Sequence, residues 1–97
     1  MVALLKTRPL MPSDKGISIL IPVYNFDVRP LANKLHDMAL KLHIPVEIRI
    51  YDDGSDQKWI FVWQEIQKLP LVNFQSMHKN IGRSAIRHVL IQDAVYS

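Results

Sequence analysis

Cysteine is absent from the sequence. That excludes a disulfide framework and a thiolate metal site, and it is compatible with a reducing cytoplasm. Glycine occurs three times, never in the Gly-x-Gly-x-x-Gly spacing after a strand that a dinucleotide-binding turn needs. No stretch approaches the roughly 20 apolar residues required to span a bilayer. The apolar opening from Val2 to Leu5 is too short for a signal-peptide core, and Lys6 and Arg8 follow it instead of preceding it. Excess charge is slight, +3 from twelve Lys and Arg against nine Asp and Glu. The cations are scattered, which argues against a nucleic-acid arm and suits an anionic small ligand. The four histidines lack the spacing of a metal site. With 97 residues, 48% hydrophobic and 22% charged, the chain has the composition of one small globular domain or part of a larger one.

Three strand-then-helix units follow a leading segment, residues 1–15, read as a tail. Residues 17–23 are a nearly continuous apolar, β-branched run, the mark of a strand covered on both faces. Pro30 suits a first helical turn, and Leu31, Leu35, Met38 and Leu42 recur at helical spacing to about His43. Residues 46–51 form a second strand after Pro45, and 71–76 a weaker third after Pro70. Between them lies a helix carrying Ile60, Trp63, Ile66 and Gln67, with Ser55 or Asp56 available as its cap. A third helix turns Ala85, Ile86, Val89, Leu90 and Ala94 inward. Strands alternating with helices imply a three-layer α/β fold around a parallel sheet of three βα units, strand order third, second, first.

In such sheets ligands bind outside the carboxyl ends of the strands. The loops there are Tyr24-Asn25, Asp52-Asp53-Gly54-Ser55 and Met77-His78-Lys79-Asn80. A carboxylate after a strand can accept from the imino N–H of a base or from a ribose hydroxyl. Successive strand residues point opposite ways, so Asp52 and Asp53 are expected to divide the work, one reading a ligand and the other bracing the loop. Gly54 permits a turn and close approach of the backbone. Tyr24 is suited either to stacking on a ligand or to packing. Arg87, near a helix N-terminus, opposes the helix dipole and suits an anionic ligand or a salt bridge to Asp52 or Asp53. Lys79 and Arg83 beside Gly82 could meet phosphates or form a solvated basic edge.

The three motifs, Ile-Pro-Val-Tyr-Asn at 21–25, Asp-Asp-Gly-Ser at 52–55 and Asn-Ile-Gly-Arg-Ser-Ala-Ile-Arg-His at 80–88, together resemble the opening half of family-2 glycosyltransferases. The resemblance runs from Gly16 to Ala94. It implies a partial nucleotide-diphospho-sugar transferase fold of the GT-A type, with 16–97 as the N-terminal nucleotide-binding part. Pro22 and Tyr24 would line the nucleoside pocket, Asp52 and Asp53 would contact base and ribose, and Arg87 would take the place of the family's arginine. Gly54, Ser55 and Gly82 would support the loops. The family pattern reads Ala-Arg-Asn where this chain has Ile86-Arg87-His88, so the contact of the family's Asn is not carried over.

The resemblance further implies a parent enzyme that transfers sugar from a nucleoside-diphosphate sugar to a saccharide or lipid-linked acceptor with inversion. That enzyme would use Mg or Mn held by an Asp-x-Asp motif beyond Ser97. No catalytic or metal-binding residue is assigned within the chain, so the piece itself is expected to be inactive and free of cofactor. Its place would be the cytoplasm, with membrane attachment of the parent left open. The rival from another class is a noncatalytic interaction module of the same fold. A phosphorylation receiver is disfavoured, since the first strand ends in Tyr24-Asn25 and the third leads to His78-Lys79 instead of acids. An unpaired edge along 17–23, free of charge, predicts a homodimer, with first-strand pairing preferred.

Overall fold

The computed structural model describes residues 4–7 and 16–96. Its backbone runs through β1 (Leu4–Thr7), β2 (Ile17–Val23), α1 (Arg29–Leu40), β3 (Val46–Asp52), α2 (Ile60–Ile66), β4 (Val72–Ser76) and α3 (Arg83–Asp93). The sheet order is β1-β2-β3-β4. β2, β3 and β4 are parallel, with Ile19 opposite Ile48 and Ile50 opposite Phe74. This is the expected order of third, second and first strands around which the βα units wind.

Alternation along the strands divides the core. Ile21, Val23, Ile48 and Ile50 face one side, where Val28, Ala32, Val62 and Ile66 of the first two helical segments pack on them. Leu20 and Tyr51 face the other, under Ile86 and Leu90 of α3. The sheet is therefore the middle of three layers, which explains why β2 is a nearly continuous apolar run, while β3 alternates, with Val46, Ile48 and Ile50 on one face and Glu47, Arg49 and Tyr51 on the other. Beneath the far end of α3 the second side is polar. Ser18 Oγ donates to Glu47 Oε2 at 2.6 Å, Arg49 pairs with Glu47 at 2.8 Å, and the Tyr51 hydroxyl donates to Asp93 at 2.7 Å. Val95 N–H donates to Glu47 and Tyr96 N–H to Ser18 Oγ.

Four expectations change. Strand β1 pairs antiparallel with β2, from Leu4 opposite Leu20 to Thr7 opposite Ile17. The edge of β2 is thus covered over Ile17 to Leu20, and first-strand pairing of two copies loses its open template there. The rest of the segment read as a tail lies outside the described residues. Helix α1 ends at Leu40 and buries Ala32, His36 and Ala39. Leu31 and Leu35 pack at the margin, while Met38 and Leu42 are exposed. His36 is satisfied in the interior by accepting from the Leu71 N–H at 3.3 Å. In α2 the buried pair is Val62 and Ile66, whereas Ile60 is exposed; Trp63 lies against Phe74 with ring centroids 5.7 Å apart. In α3, Ala85 is exposed while Ile86 and Leu90 are buried.

Candidate functional site

The loops after the three parallel strands meet at one edge of the sheet and are tied together by hydrogen bonds. The middle loop is the hub. Asp52 is fully buried and accepts from the Ser55 N–H at 2.7 Å and from the Ser55 hydroxyl. Ser55 Oγ in turn accepts from the Asn25 N–H at 2.7 Å, and the Asp56 N–H donates to Asn25 Oδ1 at 3.0 Å. Asn25 holds a left-handed φ of 46°, a conformation that Asn tolerates better than most residues. The first loop is thereby clamped to the second. Ser55 acts as this bridge and not as the helix cap expected of it, and Asp56 makes no side-chain cap either.

Asp53 ties the second loop to the third. Its carboxylate accepts from the Ile81 N–H at 2.7 Å and the Gly82 N–H at 3.1 Å, and its carbonyl accepts from Asn80 Nδ2 at 3.0 Å. Its own N–H donates to the Val23 carbonyl at 2.7 Å. The two acids do divide the work, though each braces a loop: Asp52 its own, Asp53 the next. Gly54 has φ 74°, and a Cβ there would collide with the backbone of Lys79 and Asn80. The close approach that Gly54 permits is to the third loop.

Between the first and third loops opens a cavity of about 490 Å³. Pro22, Val23 and Tyr24 form one wall, Asp53 the floor, and Asn80, Gly82, Arg83 and Ile86 the other wall. Tyr24 is 53% exposed, so its ring is available at the mouth instead of serving as packing. Of the residues singled out from the sequence, Pro22, Tyr24, Asp53 and Gly82 meet here. Asp52, Gly54 and Ser55 lie behind, holding the loops. Arg87 is exposed one helical turn beyond Arg83, outside the lining. It makes no ion pair with Asp52 or Asp53, whose oxygens are taken by backbone donors and Ser55. Arg83, named from the sequence as a phosphate contact or a solvated basic edge, also lines the cavity, and Asn80 is the polar lining residue that was given no role from the sequence. The position of Asn80 in the loop that follows β4 was the available signal.

At the start of α1, outside the cavity lining, charge is paired. Arg29 pairs with Asp27 at 2.6 Å and with Glu65 at 2.9 Å, and its guanidinium lies 5.1 Å from the Phe61 ring centre. The hydrogen bond from Arg29 holds the Asp27 carboxyl below its usual range. Among the described residues no three His, Cys, Asp or Glu side chains gather to hold a metal ion, so no chemical step is assigned to one. Among the same residues no helix is long and apolar enough to cross a membrane. The chain matches no protein-family model, no curated protein and no solved structure.

Proposed function

We propose that the chain is the nucleoside-binding N-terminal part of a GT-A-type glycosyltransferase, whose parent transfers sugar from a nucleoside-diphosphate sugar to a saccharide or lipid-linked acceptor. One observation carries the reading: three motifs far apart in sequence supply the walls of a single cavity at the carboxyl edge of a parallel sheet. Pro22 and Tyr24 come from the first motif, Asp53 from the second and Gly82 from the third. Each Asp53 oxygen accepts one backbone N–H, and a carboxylate oxygen has a second acceptor site for an imino N–H or ribose hydroxyl. The Tyr24 ring at the mouth offers a face for a base. In this reading the chain binds and orients the nucleoside. The general base and the metal-holding carboxylates of the transfer are not assigned to its residues.

A second reading, a noncatalytic interaction module, is favoured by a different observation, that both acids are already engaged in bracing loops. Titration of the labelled chain with UDP, GDP, dTDP and ADP, followed by NMR, separates the two. The first reading expects binding with Kd on the order of 1 mM, equivalent to about −4 kcal/mol. Shifts should centre on Val23, Tyr24, Asp53, Asn80 and Gly82. Tyr24→Ala should weaken binding about tenfold if a base stacks on the ring. Saturating nucleotide without movement of those resonances would leave the interaction module as the better account.

A further inference from the structure

The cavity is lined by a cation that no carboxylate among the described residues neutralises. Its two charged lining residues are Asp53 and Arg83, but Asp53 turns its carboxylate to the Ile81 and Gly82 N–H groups and not to the guanidinium. Among the described residues the ion pairs join Arg29 to Asp27 and Glu65, and Arg49 to Glu47; Arg83 has no carboxylate partner. Arg83 lines a concave surface together with buried Ile86 and Val23, and a guanidinium offers a planar fork of donors that matches the oxygens of a phosphate. Space for such a group lies next to it. Gly82 has φ 92°, and a Cβ built there would meet nothing within 4 Å, so ligand atoms could reach the backbone beside Arg83.

We propose that this cavity takes a phosphate-bearing ligand with the phosphate against Arg83, making Arg83 the residue that selects nucleotide over nucleoside. The inference rests on the nucleotide reading above for the rest of the ligand, while the anion contact stands on the cavity and its unpaired cation. Tyr24 and Asp53, on the opposite wall and the floor, would face the base and ribose. Arg87, outside the lining, has no part in the contact and serves as an internal control.

The test is calorimetric titration of the whole chain with uridine, UMP and UDP, the guanosine counterparts, and inorganic pyrophosphate. Wild type, Arg83→Gln, Arg83→Lys and Arg87→Gln are compared at low and high salt. A hydrogen-bonded charge pair predicts that the phosphorylated forms bind about tenfold more tightly than the nucleoside, with the advantage shrinking in salt. Arg83→Gln should abolish the advantage without altering nucleoside affinity, Arg83→Lys should retain part of it, and Arg87→Gln should retain it all. Equal affinity for nucleoside and nucleotide, or an advantage that survives Arg83→Gln, would overturn the proposal while leaving nucleoside binding intact. Pyrophosphate binding that depends on Arg83, with no response to any nucleoside or nucleotide, would instead overturn the nucleotide reading and keep the anion site. If no probe binds, both fall. Arg83 is exposed at the start of α3, and an unchanged far-UV spectrum and melting curve check that its variants are folded.

Discussion

Replacing Gly54 by alanine tests whether the three loops form one braced unit. Two penalties act at this position. The left-handed φ of 74° costs an alanine about 1–2 kcal/mol. The added Cβ also runs into the Lys79 and Asn80 backbone, so the third loop must move away. Moving it strains or breaks the bonds from Asn80 Nδ2, Ile81 N–H and Gly82 N–H to Asp53, each worth about 0.5–1.5 kcal/mol net. Together these give a loss of about 3–5 kcal/mol, a large share of the roughly 5–15 kcal/mol that holds a domain together. Urea unfolding followed by circular dichroism is the assay; with a slope of about 1 kcal/mol/M, the midpoint should fall by several molar units or the variant should be unfolded without denaturant. Gly54→Asn isolates the steric part, because Asn tolerates left-handed backbone but still carries a Cβ. It should be nearly as damaging as alanine. A Gly54→Asn variant within about 0.5 kcal/mol of wild type would show that only the dihedral matters at Gly54 and that the loop contact is not structural.

Other outcomes follow from the layers of the sheet. Burial raises the pKa of the Tyr51 phenol, with the bond to Asp93 adding to the rise and that from Arg49 opposing it. Its folded pKa lies above the unfolded value, so its contribution is intact below about pH 10 and is lost as pH climbs through the folded value. Melting temperature should therefore fall above pH 10, and Tyr51→Phe should flatten that fall; parallel profiles for the two proteins would refute the assignment. On α1, Met38→Lys should change stability by less than about 0.5 kcal/mol because the side chain is exposed. Ala32→Leu, at a position with no exposed surface, should cost about 1–3 kcal/mol by overpacking. Equal effects in denaturant titrations would mean that the helix presents a different face.

The sheet was legible in the sequence because its information is local. Residues 17–23 are a nearly continuous apolar run, as a strand covered on both faces requires, residues 46–51 place apolar side chains at alternate positions, and the prolines at 30, 45 and 70 separate strand from helix. Helix faces were less legible. Counting large apolar residues selected Met38 and Leu42, but α1 buries Ala32, His36 and Ala39, and size alone does not tell which face turns inward. Strand β1 was missed since Leu4–Thr7 is too short to show a period and pairs with a strand more than ten residues on. The motifs fall on loops that line the cavity, yet the partners of Asp53 are backbone N–H groups about 30 residues away. No side-chain pattern encodes those. The Arg83 and Arg87 positions differ by one helical turn, and only the orientation of α3 on the sheet decides which one faces the cavity.

The polar patch beneath α3 also bears on the order of folding events. Tyr96 lies against Gly16, where a Cβ would clash with its ring, and its N–H reaches Ser18 across 78 residues of chain. Closing a loop of that length carries a length-dependent entropy cost of about 4 kcal/mol, whereas each βα unit closes over a few tens of residues. The three units can therefore assemble first, and the clasp between Gly16, Ser18, Glu47 and the 95–96 segment closes afterwards. Contacts made after the transition state govern how fast a protein opens and leave its folding rate almost unchanged. If the clasp at the amino edge of the sheet closes after the transition state, its removal should speed unfolding and leave the folding rate almost unchanged, so that it acts as a latch at the opposite end of the strands from the cavity.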